Sequence, residues 1–169
     1  EVLDVILVNS SKVLIHEDYL EYDSEILNIS NNLRQFASTE DLEGIDMVIS
    51  IGGDGTLLNT VYHVADLNIP ILGLNMGKLG FLATSAIDGI KGLFTSTFNR
   101  NYQIEERTLL ELEAGDSKLF DRKNFALNDF TVLKRDISAM IVVHTYVDDK
   151  FLNSYWADGL LVSTPTGST

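Results

Sequence analysis

Ser50-Ile51-Gly52-Gly53-Asp54-Gly55-Thr56-Leu57-Leu58 packs the end of a strand, a turn and the start of a helix into nine residues. The apolar run before it ends on glycines, and Leu57, Leu58, Val61, Val64 and Ala65 then recur at helical spacing. Strand-to-helix turns of this kind are where α/β proteins bind ligands. Glycines let the backbone come close to a phosphate, and a helix N-terminus adds unpaired N–H groups and a favourable dipole. A simple phosphate cradle would avoid a carboxylate. Asp54 therefore suggests a second task, either taking a proton from an attacking hydroxyl or helping to hold magnesium against phosphates. The alternative reading of the same residues is that Asp54-Gly55 is only a tight turn and Thr56 an ordinary helix cap.

Outward from this turn the same alternation continues. Val13-Leu14-Ile15, Met47 to Ile51 and Ile71 to Leu74 are apolar on consecutive residues, as in strands buried on both faces, and Ile87 to Phe98 has helical spacing. Strand, helix, strand, helix predicts a parallel α/β layer over residues 1–100. From 101 to 169 the pattern is β-rich: Thr108 to Ala114, Phe125 to Lys134, Ala139 to Val147 and Phe151 to Trp156. Asp148-Asp149-Lys150 forms a hairpin corner between the last two. Residues 2–9 fit a strand by β-branched content and a helix by the spacing of Val2, Val5, Ile6 and Asn9, and periodicity alone leaves both open.

Composition narrows the chemistry. The 169 residues are 45% hydrophobic, enough for a real core, and carry 12 Lys and Arg against 25 Asp and Glu, a net charge of −13. Such a charge repels polyanions and argues against a nucleic-acid groove, so phosphates would be bound by local backbone devices. No apolar run reaches the roughly 18 residues of a membrane helix, which predicts a cytoplasmic protein without a membrane partner. The absence of cysteine removes disulfides, thiolate zinc sites and a cysteine nucleophile. His16, His63 and His144 show no metal-ligand spacing. Neither G-x-G-x-x-G nor G-x-x-x-x-G-K occurs, against a Rossmann dehydrogenase or a Walker-type ATPase.

Three further motifs follow. Asn75-Met76-Gly77-Lys78-Leu79-Gly80-Phe81-Leu82 combines glycines with an amide, a cation and an aromatic ring, suited to a ribose, a phosphate and a base. It also reads as a plain glycine-bearing connection with Phe81 in the core. Asn128-Asp129 sets an amide beside a carboxylate in an apolar segment, partners for sugar hydroxyls or merely an exposed corner. Ala157-Asp158-Gly159-Leu160-Leu161-Val162-Ser163-Thr164-Pro165-Thr166-Gly167-Ser168-Thr169 reads as a buried strand entering a hydroxyl-rich turn, able to bind an adenosine moiety or to be a plain β-turn.

In this order and spacing the four motifs resemble the NAD kinase family. The GGDGT turn is shared with diacylglycerol and sphingosine-type lipid kinases, and the other three separate this chain from them. The resemblance implies an α/β N-terminal domain with a parallel sheet, followed by an incomplete all-β, sandwich-like domain that binds NAD. It implies a helix at residues 2–9 before a strand at Val13 to His16. The implied activity is transfer of the γ-phosphoryl of ATP to the 2′-hydroxyl of the adenosine ribose of NAD, giving NADP, with magnesium. A lipid kinase, or an NAD-binding regulator without catalysis, is the alternative.

On this resemblance Asp54 is the general base, and Gly53, Gly55, Thr56 and Leu58 shape the phosphate site. Asn75 and Phe81 line the dinucleotide pocket. Asn128 and Asp129 hold sugar hydroxyls and the nicotinamide side, and Asp158, Thr166 and Thr169 hold the other end of NAD. Asp129 stands where glutamate is more usual, a mild change. Some contacts in the family come from a neighbouring subunit, which implies a homo-oligomer, a dimer or tetramer. Family members continue past the last threonine with an Ala-Tyr pair and begin with a further strand, which implies truncation at both ends.

Overall fold

The structure is a computed structural model that describes residues 2–10, 12–64, 67–76, 80, 82, 85–86, 89–115, 124–136 and 139–168. It divides into two compact units, Glu1–Ile104 and Glu105–Thr169.

The first unit opens with helix α1 (Val2–Asn9) and strand β1 (Val13–His16), so residues 2–9 are helical. Packing explains why periodicity could not decide. Leu3, Ile6 and Leu7 pack against a cluster of Val13, Ile26 and Leu33, while Val2, Val5 and Ile6 pack against a second cluster of Leu74, Ile90 and Phe94. A helix with apolar contacts on two sides lacks the single polar face that marks most surface helices.

Helix α2 (Glu17–Leu20) and a 3-10 turn (Ser24–Asn28) lead to strand β2 (Leu33–Phe36). No apolar run marks β2, whose Arg34 and Gln35 are exposed; it exists through parallel pairing with β1, from Val13 opposite Leu33 to His16 opposite Phe36. A second 3-10 turn (Thr39–Leu42) precedes strand β3 (Val48–Gly52), helix α3 (Asp54–Val64), strand β4 (Ile71–Asn75), the two-residue strand β5 (Ser85–Ala86) and helix α4 (Ile90–Phe98). Strands β3, β4 and β5 form a parallel sheet, so the parallel α/β expectation holds, with β1 and β2 as a separate parallel pair among the described residues. Leu74 and Phe94 are fully buried. Side chains of this size each stabilise by roughly 1.5–3 kcal/mol on burial, which locks β4 to α4.

His16, His63 and Phe36 are far apart in sequence but meet here, with the two imidazole centroids 4.7 Å apart. Among the described residues no group of three or more His, Cys, Asp or Glu side chains gathers as a metal site.

The second unit is antiparallel throughout its described pairs. Strand β6 (Leu110–Glu111) pairs with β7 (Phe125–Ala126), β8 (Asp129–Leu133) with β11 (Gly159–Ser163), and β9 (Ile141–Val147) with β10 (Lys150–Ala157). Within the strand expected over Thr108 to Ala114, Leu110 and Glu111 form the described ladder, and the Leu112 N–H extends the pairing by donating to the Asn124 carbonyl at 2.7 Å. The hairpin corner is as expected: Asp148 and Asp149 both adopt left-handed φ, 50° and 62°, the backbone of a two-residue I′ turn. The buried strand expected in the Ala157 to Thr169 segment is corrected: β11 forms there, but its adjacent Leu161 and Val162, which point to opposite faces of the strand, are 55% and 52% exposed, so neither face is fully covered at that point.

Candidate functional site

In the first unit, β3 and β4 end side by side, with Gly52 in register with Asn75. The Met76 N–H donates to the Gly52 carbonyl at 3.2 Å, closing the turn onto the end of β4. Thr60 Oγ1 donates to Ser50 Oγ at 3.1 Å and ties α3 to β3 beneath it. Asp54 is the first residue of α3, so its carboxylate lies at the positive end of the helix dipole, at the carboxyl ends of parallel strands. The Leu82 N–H donates to Asp54 Oδ1 at 3.0 Å.

Glycine has two distinct uses around this carboxylate. At Gly53 and Gly55 an added Cβ would meet nothing within 4 Å among the described residues, so no described packing asks for glycine there. What the missing side chains leave open is approach to the backbone from outside, as a phosphate requires. Gly80 is the opposite case. A Cβ on it would overlap the Asp54 carboxylate, with Cγ 2.8 Å and Oδ2 3.0 Å away. Thr56 is exposed, Leu58 half-buried and Asn75 only 6% exposed. Gly53, Asp54, Gly55, Thr56 and Asn75 thus share one corner of the unit. Phe81 lies outside the described residues.

In the second unit, Asn128 sits in the bend between β7 and β8, and Asp129 starts β8. The bend answers the problem of two adjacent polar residues in an apolar strand, because Asn128 is not in the ladder. Its Oδ1 is buried with no hydrogen-bond partner among the described residues. A buried amide oxygen left unpaired is worth about 1–3 kcal/mol of desolvation, and a sugar hydroxyl is a donor that would satisfy it. Asp129 Oδ1 accepts from Thr131 Oγ1 at 3.1 Å.

The hydroxyl-rich turn folds onto the same bend. Ser163 is in register with Asp129, and the Thr164 N–H donates to the Asn128 carbonyl at 2.8 Å. Thr164, 2% exposed, donates its hydroxyl to the Leu127 carbonyl at 2.5 Å and accepts from the Gly167 N–H at 3.2 Å. Thr166 Oγ1 accepts from Arg107 Nη1 at 3.2 Å. Asp158 is elsewhere. It precedes β11, where Lys134 donates its N–H to the Asp158 carbonyl at 2.9 Å and its Nζ to Oδ1 at 2.5 Å. Asp158 and Thr166, assigned by the resemblance to one end of NAD, therefore lie at opposite ends of a five-residue strand, roughly 17 Å at about 3.4 Å per residue. Thr169 lies outside the described residues.

Several neighbours of these residues carry no signal in the sequence. Lys134 and Arg107 are single cations without a motif, and Gly80 and Leu82 sit in a recognised loop whose contact with Asp54 bridges 28 positions. Only the tertiary fold pairs them.

The ATP-NAD kinase N-terminal domain model matches residues 3–102, and the ATP-NAD kinase C-terminal domain model matches residues 127–169. The chain is 49% identical over 158 residues to an NAD kinase of Cytophaga hutchinsonii, covering 92% of this chain and 53% of that protein. It is 44% identical over 164 residues to an NAD kinase of Flavobacterium psychrophilum, covering 95% and 55%. Among solved structures it is similar to yeast NADH kinase complexed with NADH, with a TM-score of 0.78 and 26% identity over 98% of this chain and 52% of that one. The chain spans about half the length of the curated relatives it matches.

Proposed function

This chain belongs to the ATP-NAD kinase family, and on that premise we propose that the protein transfers the γ-phosphoryl of ATP to the 2′-hydroxyl of the adenosine ribose of NAD, giving NADP. The observation that carries the reading is the placement of Asp54, a carboxylate at the N-terminus of α3 beside two glycines whose backbone is open to a ligand. Asp54 takes the proton of the ribose hydroxyl as its oxygen attacks the γ-phosphorus, and ADP leaves. Gly53, Gly55 and Thr56 receive the phosphates, with Leu58 supporting the turn from the helix. Asn75 and Phe81 line the dinucleotide pocket.

Asn128 and Asp129 hold sugar hydroxyls and the nicotinamide side of NAD, supported by the unpaired Asn128 Oδ1. Asp158, Thr166 and Thr169 serve the rest of the dinucleotide. The strand length between Asp158 and Thr166 favours a homo-oligomer in which one subunit supplies part of a neighbour's site. A dinucleotide acceptor is also supported by the yeast relative, described as a complex with NADH.

Magnesium fits this corner only as a phosphate-held ion. No group of three carboxylates or imidazoles gathers among the described residues, and magnesium commonly keeps its waters and takes one or two carboxylates plus substrate phosphates. Asp54 is the residue that would contribute such a ligand, and the bound ion would neutralise charge on the transferring phosphoryl. We place the protein in the cytoplasm; among the described residues no helix is long and apolar enough to cross a membrane.

The test is Asp54→Asn in the full-length protein, with NADP formation as the readout. Loss of a general base lowers turnover about 10²- to 10⁴-fold; an unchanged rate rejects the role. Offering ATP with either NAD or diacylglycerol separates this activity from that of a lipid kinase.

A further inference from the structure

We propose that Gly80 is a positioning residue for phosphoryl transfer: with the Leu82 N–H, it sets where the Asp54 carboxylate points. This inference rests on the reading of Asp54 as the base. The backbone of Asp54 is fixed by α3, but its side chain is not. An aspartate at a helix start can turn back to bind the helix's own N–H groups or reach outward.

Two contacts from the segment after β4 bear on where it points. The Leu82 N–H grips Oδ1 at 3.0 Å. Gly80 supplies the space, because a Cβ at that position would overlap the carboxylate, with Cγ 2.8 Å and Oδ2 3.0 Å away. The base is therefore aimed by the dinucleotide loop as much as by the helix that carries it.

A methyl group at position 80 meets the far end of a side chain rather than backbone. Its least costly accommodation is rotation of Asp54 into another staggered position, which leaves the fold intact and misdirects the carboxylate. A misplacement of about 1 Å in a reacting geometry can lower the rate about 10²-fold.

The experiment compares Gly80→Ala, Asp54→Asn and the double variant in the full-length protein, measuring kcat, KM and calorimetric affinity for NAD and ATP, and thermal unfolding. Gly80→Ala is expected to unfold with the parent and bind both substrates within about twofold, while kcat falls about 10²-fold. On the Asp54→Asn background, Gly80→Ala is expected to lower kcat no further. Full turnover in Gly80→Ala, or the same loss with and without the Asp54 carboxylate, overturns the inference while leaving the base in place. Full turnover in Asp54→Asn removes the base itself, and the inference with it. If Gly80→Ala proves unstable, Gly80→Ala/Asp54→Ala decides: recovered stability supports the contact, and no recovery places the clash elsewhere and overturns it.

Discussion

Gly167 lies against the backbone of Asn128, so that a Cβ on Gly167 would come 2.6 Å from the Asn128 carbonyl carbon and 2.8 Å from its Cα. These are backbone atoms and cannot rotate aside. Gly167→Ala should therefore push the hydroxyl-rich turn off the bend that carries Asn128. We expect a loss of about 1–3 kcal/mol, the usual range for overpacking, seen in urea unfolding of the full-length protein, together with weaker NAD binding. Parent-like stability and affinity would mean that the two segments are not in contact.

Gly55→Ala should behave in the opposite way. Gly55 is within α3, and among the described residues nothing lies within 4 Å of an added Cβ. Alanine in a compatible helical conformation stabilises by about 0.4–1 kcal/mol, so the unfolding midpoint should rise slightly. If phosphates approach the backbone here, the methyl group obstructs them, and KM for ATP should rise by about tenfold, equivalent to about 1.4 kcal/mol. Unchanged kinetics in the stabilised variant would count against this phosphate site.

Thr164 tests the same bend through its hydroxyl. Thr164→Val keeps the shape but leaves the Leu127 carbonyl and the Gly167 N–H without their partner. The expected loss is about 1–3 kcal/mol, with Thr164→Ser retaining most of the stability. A valine variant as stable as the parent would show that the hydroxyl is replaceable.

Asp41 gives the first unit an acid-sensitive element. Its carboxylate accepts from the Ala37 and Ser38 N–H groups, each at 3.0 Å, and from the Ser38 hydroxyl at 3.2 Å. The Ala37 hydrogen bond, followed by those from Ser38, holds its pKa below the ordinary aspartate range. The stability it contributes is therefore fully present above the unfolded-chain value of about 3.9 and is lost as pH falls through the lower folded value. Thermal unfolding followed downward from pH 5 should show this acid loss in the parent and less of it in Asp41→Asn. Parallel curves would refute the assignment.

The sequence by itself determined those features that depend on neighbours in the chain. The apolar run before Gly52, the helical spacing from Leu57 and the left-handed Asp148-Asp149 corner arise from local backbone preference, and each appears where its residues indicate. Motif order also identified the family. The tertiary structure alone decided what depends on distant partners. Residues 2–9 are the helix that the family resemblance implied and periodicity left open, and the fold decided that two separate core clusters pack against it, while Leu33–Phe36 became a strand because β1 pairs with it. Asp54 is aimed by Gly80 and Leu82, and Asp158 is separated from Thr166 by the length of β11. Sequence periodicity records which face of an element is apolar, but not which other element covers it. A single glycine or cation has no period at all, so its role emerges only when the folded chain brings its partner within reach.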